Sequence, residues 1–351
     1  MEYRRLGRTD LKVSVICLGT MTYGEQNSEA EGHEQMDYAL DQGVNFFDTA
    51  ELYAIPPKAE TQGSTERIIG SWFKARGNRD KVILASKICG RCANNWFRDD
   101  ESPTRVTARQ IREAVDKSLK RLQTDYIDLY QIHFPERPMP WGSNPTRFSR
   151  AAFERPDDET PIAEQLDAFA EIVKAGKIRH LGLSNESAWG TMSFVQDAAV
   201  RGTPRVQSIQ NAYNLLNRTF ETALGEIAIR EDVGLLAYSP LGQGFLTGKY
   251  LDGARPAGSR TTLFDRGQRY QTAGAEDAIK RYIALAREAG LDPAQMALAF
   301  VNSRAFVTAN IIGATKIDQL KTDIASIGVT LSPELEAKID AIHQLVGNPC
   351  P

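Results

Sequence analysis

Eight short apolar segments recur along the chain, and most are separated by a stretch with the periodicity of an amphipathic helix. They span residues 15–19, 44–48, 82–87, 126–133, 178–184, 206–210, 234–238 and 310–312. Short runs of this kind are typical of strands buried on both faces of a parallel sheet. Eight βα units favour a closed (β/α)8 TIM barrel over a doubly wound sheet, because no Gly-x-Gly-x-x-Gly follows the first strand.

Other segments predict additions to this α/β barrel. Residues 2–5 and 11–16 predict an N-terminal β-hairpin, and Ser332 followed by Pro333 predicts an extra C-terminal helix. Thr107 and Gln110 predict a capping box at the start of another helix. Three long segments, residues 89–106, 134–160 and 241–272, follow strand ends and predict loops around the mouth of the barrel. The length of 351 residues also fits two domains, but we expect one barrel domain over residues 1–351.

Charge and cysteine content argue against several classes of function. The formal net charge is −3 and no basic block is present, which disfavours nucleic-acid binding. No apolar leader and no run of about 18 apolar residues occurs, so we expect a cytoplasmic protein without a membrane partner. Cys89 and Cys92 form a C-x-x-C pair, but no second pair or histidine cluster supplies further ligands, and we expect no metal site.

Four titratable residues stand where successive strands are predicted to end. Asp48 and Tyr53 follow the second strand, Lys87 closes the third and His133 closes the fourth. Each of these residues, taken alone, is more often structural than catalytic. The ends of barrel strands converge on one mouth, however, so we expect the four side chains to form a single catalytic centre.

Their chemistry suits the reduction of a carbonyl group. Tyrosine has a reference pKa of about 10, and an ammonium at Lys87 would stabilise the phenolate of Tyr53 and lower its pKa. Asp48 would keep Lys87 charged, while His133 would hydrogen-bond the carbonyl oxygen that Tyr53 protonates. Proton donation contributes about 10²- to 10⁴-fold in rate. Hydride transfer from a reduced nicotinamide is therefore the natural partner step.

The later strands end in polar or aromatic residues that suit such a cofactor. These residues are Ser184, Asn185, Gln210, Tyr238, Ser239, Pro240 and Leu241. Amide side chains suit a carboxamide and Tyr238 suits stacking on a flat ring, whereas Lys249 and Arg260 would hold phosphate. Residues 313–316 open a helix whose N-terminus favours anions. Simpler alternatives stay open, with Lys249 and Arg260 as solvated charges and Tyr238 as a core residue.

At these residues the chain resembles the aldo-keto reductase superfamily, over essentially its whole length. Residues 48–53, Asp-Thr-Ala-Glu-Leu-Tyr, are similar to the family's Asp-Thr-Ala-x-x-Tyr box. Lys87 and His133 are similar to its strand-three lysine and strand-four histidine. Residues 239–250 and 259–260 resemble the branch of potassium-channel β subunits and Tas-like reductases, and residues 21–27 and 50–57 look closest to the Tas-like proteins.

The resemblance implies a (β/α)8 barrel and NADPH-dependent reduction of aldehydes or ketones, with Tyr53 as general acid assisted by Lys87, Asp48 and His133. It also implies a set of residues that contact NADPH or NADP+. These are Gly19, Thr20, Met21, Ser184, Asn185, Gln210, Tyr238, Ser239, Pro240, Leu241, Gly242, Gly244, Lys249, Arg260, Gly313, Thr315, Gln319 and Asp323.

Two positions in the adenosine-binding stretch depart from the family pattern. Gln319 stands where many members place an arginine, as it does in the channel-subunit branch. Asp323 stands where asparagine is usual, and an added carboxylate would weaken affinity for a polyanionic dinucleotide.

The sequence does not identify the substrate beyond a small carbonyl compound, and it leaves the oligomeric state open. We expect aromatic side chains of the mouth loops and of the segment after the first strand to contact the substrate. These are Tyr23, Trp96 and Phe134, with Phe97 and Trp141 as further apolar walls. The alternative to a reductase is a nucleotide-bound regulatory subunit with vestigial turnover. A metal hydrolase is disfavoured because the sequence lacks a His/Asp ligand cluster.

Overall fold

Eight parallel strands close into a barrel in the computed structural model, which describes residues 1–140, 149–265 and 268–351. An antiparallel hairpin precedes the barrel and consists of β1 (Tyr3–Arg5) and β2 (Lys12–Ser14). The barrel strands are β3 (Ile16–Gly19), β4 (Phe46–Asp48), β5 (Ile83–Ile88), β6 (Ile127–Ile132), β7 (Ile178–Ser184), β8 (Val206–Ala212), β9 (Gly234–Tyr238) and β10 (Val307–Ile312). β10 pairs with β3 and completes the ring, which confirms the predicted fold.

The strands occur where they were predicted, but several of their ends differ. β8 continues to Ala212 because that residue pairs with Tyr238 of β9. β10 begins at Val307 rather than at residue 310, because Val307 pairs with Leu235. β6 ends one residue before His133. These ends are set by pairing with a neighbouring strand, which the apolar pattern of a single segment does not contain.

Helices connect the strands and pack around them. They are α1 (Glu29–Asp41), α2 (Ser64–Arg76), α3 (Ala108–Leu122), α4 (Ile162–Lys174), α5 (Ala188–Arg201), α6 (Leu224–Arg230), α7 (Arg260–Phe264), α8 (Ala275–Glu288), α9 (Pro293–Asn302), α10 (Ile317–Ala325) and α11 (Pro333–Val346). The predicted extra helix, α11, packs against α8, and Ser332 caps it by accepting from the N–H of Leu335. Within the described residues, no helix has the length and apolar character needed to cross a membrane.

The cap of α3 is partly as predicted. The hydroxyl of Thr107 accepts from the N–H of Gln110 at 3.3 Å. The side chain of Gln110 does not complete a capping box, because its Oε1 accepts from Nε of Arg98 at 3.0 Å and from the N–H of Arg105 at 2.7 Å. The guanidinium of Arg98 is buried and needs acceptors, and this need prevails over the local cap.

Along each barrel strand, side chains point alternately into and out of the barrel. The inward side chains form layers, and one layer is apolar while the next is polar. Towards the hairpin, Phe46, Leu129 and Leu236 fill the interior together with Leu6 and Val13 of the hairpin. At the next inward position along the strands the side chains become polar. The hairpin end of the barrel is therefore closed by apolar packing, and the polar layer lies at the carboxyl ends of the strands.

Candidate active site

The turn after β4 carries Tyr53 and is held against β5 by backbone hydrogen bonds. The N–H of Thr49 donates to the carbonyl of Ala85 at 2.9 Å, and the N–H of Glu51 donates to the carbonyl of Lys87 at 3.2 Å. Both bonds continue the pairing of β4 with β5 beyond the end of β4. They bring the turn, and with it Tyr53, alongside Lys87.

Lys87 lies at the centre of the site. Its side chain is fully buried, and its Nζ donates to Oδ2 of Asp48 at 2.6 Å, to the carbonyl of Thr49 at 2.8 Å and to Oη of Tyr53 at 3.4 Å. Burial is the largest single influence and opposes the charge, but Asp48 and Tyr53 together outweigh it and raise the pKa of Lys87 above its usual value. Lys87 is therefore an ammonium at neutral pH.

Tyr53 keeps its proton in this environment. The sequence led us to expect a lowered pKa, but burial has the larger effect and raises the pKa of Tyr53, while the ammonium of Lys87 acts in the opposite direction. The phenol is consequently neutral at physiological pH, which is the form that a general acid requires. Lys87 lies where it would stabilise the phenolate left after the proton departs.

His133 packs edge-on against Tyr53, with 5.5 Å between the two ring centroids. Burial, together with the charge of Lys87, holds the pKa of His133 well below its usual value, so the imidazole is neutral. Its Nδ1 is buried and has no hydrogen-bond partner among the described residues. Buried polar atoms are seldom left without partners, and exceptions often mark functional sites.

Two glutamines complete the polar layer beneath Lys87. Nε2 of Gln210 donates to Oδ1 of Asp48 at 2.9 Å, and Nε2 of Gln131 donates to the same oxygen at 3.2 Å. Gln210 was expected to hold a carboxamide, but in this structure its amide supports Asp48. Gln131 was not predicted as a site residue, although a polar side chain two residues before His133, and therefore on the same face of the strand, was the available signal.

Asn185 and Tyr238, predicted as cofactor residues, contact one another at the mouth. Oη of Tyr238 donates to Oδ1 of Asn185 at 2.7 Å, and Nδ2 of Asn185 donates to the carbonyl of His133 at 2.8 Å. The hydroxyl of Ser184 donates to the carbonyl of Gln210 at 2.8 Å. Arg269, which sequence reasoning missed, donates from Nη1 to Oη of Tyr238 at 3.2 Å. No sequence pattern pointed to Arg269, because it lies in a long segment without helical period.

The segment after β9 brings its backbone close to Lys249. It passes through Ser239, Pro240 and Leu241 into a 3-10 turn at Gly242–Thr247. Gly244 has a φ of +94°, which other residues rarely adopt, and a Cβ there would lie 2.7 Å from Cε of Lys249. The glycine therefore lets the backbone lie close to the side chain of Lys249.

The predicted cofactor residues after β3 are packed into the barrel rim. A Cβ on Gly19 would lie 2.8 Å from the carbonyl oxygen of Ile312, and the hydroxyl of Thr20 donates to the carbonyl of Asp48 at 2.8 Å. Nη2 of Arg260, the first residue of α7, lies 3.9 Å from Sδ of Met21. Arg260 therefore reaches the barrel rim from the segment after β9.

The predicted adenosine-binding residues lie around α10. Gly313 is exposed, and Oε1 of Gln319 accepts from the N–H of Thr315 at 3.0 Å. Asp323 is 4% exposed, and no hydrogen bond from the described residues reaches its carboxylate. Burial, and then the charge of Asp292, raises the pKa of Asp323 to about 7, while Lys249 opposes this shift.

The residues predicted to contact the substrate differ in their exposure. Tyr23 is fully buried and its hydroxyl donates to Gln35 at 3.1 Å, so the prediction that it contacts a substrate is corrected here. Phe134 and Phe97 are buried and pack with Cys89, whereas Trp96 is 38% exposed. Trp141 lies outside the described residues.

Cys89 and Cys92 form no disulfide, and burial raises the pKa of the Cys89 thiol well above its usual value. In residues 1–140, 149–265 and 268–351, no group of three His, Cys, Asp or Glu side chains could hold a metal ion.

Fold and site together define a (β/α)8-barrel protein with a buried aspartate, lysine and tyrosine cluster at the carboxyl ends of its strands. The chain belongs to the aldo/keto reductase family, whose model matches residues 15–344. Membership of this family supports an oxidoreductase and a cofactor of the NAD(P)H type.

The chain also matches individual proteins over nearly its whole length. It is 49% identical to Protein tas of Escherichia coli (strain K12), covering 100% of both chains. It is 35% identical to the uncharacterized oxidoreductase YrpG of Bacillus subtilis (strain 168), covering 100% of this chain and 98% of that protein. A probable voltage-gated potassium channel subunit beta of Arabidopsis thaliana is 30% identical, over 98% of this chain and 97% of that one. Both branches that the sequence resembles are therefore represented in the same family.

Proposed function

We propose that the chain is an NADPH-dependent reductase that converts aldehydes or ketones to alcohols. One observation carries this proposal: the buried ammonium of Lys87 lies 2.6 Å from a carboxylate oxygen of Asp48 and 3.4 Å from the hydroxyl of Tyr53. A protonated phenol beside a fixed ammonium can release its proton to a substrate oxygen, because the charge that develops on the phenol is stabilised.

The residues take complementary roles in this reaction. Tyr53 transfers its proton to the carbonyl oxygen, and Lys87 stabilises the resulting phenolate. Neutral His133 can offer one ring N–H to the same oxygen, which orients the carbonyl group. When bound, the reduced nicotinamide supplies the hydride that adds to the carbonyl carbon. The product is the alcohol, and Tyr53 regains its proton from solvent.

The residues around the mouth fit this cofactor at most positions. The ring of Tyr238 and the amide of Asn185 lie beside His133, which suits a nicotinamide. The close approach of Gly244 to the Lys249 ammonium suits a phosphate. The buried carboxyl of Asp323 is the exception, because it adds negative charge where a polyanion would bind.

Single-turnover oxidation of NADPH tests the proposal. Purified protein is mixed with stoichiometric NADPH and a panel of aldehydes and ketones, and the loss of reduced-nicotinamide absorbance is followed beside Tyr53→Phe. We expect the variant to be slower by about 10²- to 10⁴-fold, with NADPH affinity by fluorescence titration close to that of the wild type. A variant that retains most of the activity would show that Tyr53 is not the acid.

A second candidate is a nucleotide-bound regulatory subunit with vestigial turnover. It is favoured by the relatives named as potassium channel subunits beta, which are 30% identical. NADPH binding without oxidation by any substrate of the panel would support this function over the reductase. The small carbonyl partner and the cytoplasmic location remain predictions under the first proposal.

A further inference from the structure

Glu51 lies in the turn that carries Tyr53 and belongs to a second buried ion pair. Its backbone N–H donates to the carbonyl of Lys87, and its own carbonyl accepts from Nε2 of Gln62 at 2.6 Å. Its side chain reaches the segment after β5, where Oε1 accepts from the N–H of Cys89 at 2.8 Å. Glu51 therefore contacts Lys87 itself and the chain two residues after it, and it stands two residues before Tyr53.

Arg98 binds the carboxylate of Glu51 through two hydrogen bonds. Nη2 donates to Oε1 at 2.8 Å and Nη1 donates to Oε2 at 2.9 Å, and the two side chains are 0% and 1% exposed. Burial has the largest single effect and would raise the pKa of Glu51, but the guanidinium of Arg98 and the N–H of Cys89 act together with Arg121 and hold that pKa below its usual value. The pair is thus charged and geometrically fixed.

Arg98 also lies in the segment that packs next to His133. Its neighbour Phe97 packs with Cys89 and with Phe134, which directly follows His133. The carbonyl of Phe97 also accepts from Nζ of Lys117 at 2.9 Å, which ties this segment to α3. The ion pair consequently connects the turn that carries Tyr53 with the segment that packs beside His133.

We propose that the Glu51–Arg98 pair positions Tyr53 for proton transfer, so that both residues are positioning residues of the reaction. The contact between Lys87 and Tyr53 is 3.4 Å, the outer limit of a hydrogen bond, so a small shift of the turn would break it. Stability does not explain such a pair, because a buried ion pair is often no more stabilising than apolar residues of similar volume. This inference rests on the proposed reductase function.

Removing both charges together is the decisive experiment. The double variant Glu51→Gln/Arg98→Met leaves no unpaired buried charge, and glutamine can still accept from the N–H of Cys89. We expect a folded protein whose kcat is lower by about 10²-fold, with NADPH affinity unchanged. Arg98→Lys keeps the positive charge but loses the planar guanidinium, and its kcat should lie between those of the wild type and the double variant. Wild-type kcat in the folded double variant would overturn the proposal.

The matched control lies at the other end of the barrel. Arg79 donates to Asp128 at 2.7 Å, and that pair is also largely buried. The double variant Arg79→Met/Asp128→Asn should keep the wild-type kcat. An equal loss of kcat in this control would show that any buried pair has the same effect, and the specific role of Glu51 and Arg98 would be refuted.

Hydrogen exchange gives a readout that does not depend on turnover. The amides of Thr49, Glu51 and Tyr53 donate to backbone carbonyls, and we expect them to exchange faster in the Glu51→Gln/Arg98→Met variant than in the control. Unchanged exchange would overturn the positioning role. If the wild type oxidises no NADPH at all, the reductase proposal fails, and exchange still decides whether the pair fixes the turn.

Discussion

Near the amino ends of β5, β6 and β7, the carboxylate of Asp128 accepts from Arg79 and Arg179, each at 2.7 Å, and both guanidiniums stack on Tyr126 with 4.0 Å to its ring centroid. At the carboxyl ends, Asp48 pairs with the ammonium of Lys87. Arginine stays charged at any physiological pH, so the first cluster is electrostatically fixed.

The two regions differ in what their charged groups can do. At the carboxyl ends, the ammonium of Lys87 faces a phenol that can lose a proton, and the nearby Nδ1 of His133 has no partner among the described residues. Satisfied ion pairs stabilise a fold, whereas reactive groups need unfilled hydrogen-bonding capacity. The unfilled capacity of His133 lies beside the phenol and the ammonium of the proposed chemistry.

The largest expected effect comes from removing the cation at each end. Lys87→Met leaves Asp48 buried without a charged partner, and we expect a loss of about 3–5 kcal/mol in the free energy of unfolding, together with the loss of reductase activity. Arg79→Met leaves Arg179 on Asp128, so the expected loss is about 1.5–3 kcal/mol, with activity retained. Urea unfolding and single-turnover kinetics measure both quantities. An inactive but folded Arg79→Met would remove the distinction between the two ends.

Asp323 and Asp128 are both buried carboxylates with different partners. Asp128 accepts from two guanidiniums, whereas no hydrogen bond from the described residues reaches the carboxylate of Asp323. Folding raises the pKa of Asp323, so the protonated carboxyl stabilises the folded state. This contribution to the free energy of unfolding is fully present below about pH 4 and is lost as the pH rises towards 7. The stability of Asp323→Asn relative to the wild type should therefore increase by about 2.5 kcal/mol between pH 5 and pH 8. Urea unfolding at both pH values checks this. A constant difference would mean that Asp323 ionises normally.

Acid titration of His133 should give the smallest effect. Its pKa is lowered on folding, so its stability contribution is present above the unfolded pKa of about 6.5 and is lost as the pH falls below that value. The wild type should lose about 1 kcal/mol more than His133→Gln between pH 6.5 and pH 5.5. Parallel stability curves for the two proteins would indicate that folding does not shift the pKa of His133.

The sequence predicted the residues at strand ends better than it predicted their contacts. Asp48, Lys87 and His133 follow from apolar runs that stop at a polar residue, and a closed barrel brings those stops together. The hydrogen bond of Gln210 to Asp48 was not foreseen, because it depends on the register across the barrel and on side-chain direction. The raised pKa of Tyr53 depends on the extent of burial, which a motif does not state.

Residues outside the strands were harder to predict. Tyr23 follows the first barrel strand and was expected at the mouth, but its ring packs towards α1, where a Cβ on Gly32 would lie 3.2 Å from Cδ2 of Tyr23. The ring occupies a space beside α1, and the sequence around Tyr23 does not show where α1 lies. Arg98 and Arg269 were missed because they lie in long segments without periodicity, whose paths are fixed by tertiary contacts.

The hydrogen bonds between β3 and β10 join an early strand to a late one, with Ile16 opposite Asn310. Such distant pairing is slow to form, because most of the intervening chain must be ordered first. During synthesis, β3 and β9 remain open edges until β10 has left the ribosome, and exposed edges invite association with other nascent chains. The last strand of the ring therefore determines when the growing polypeptide stops being prone to aggregation.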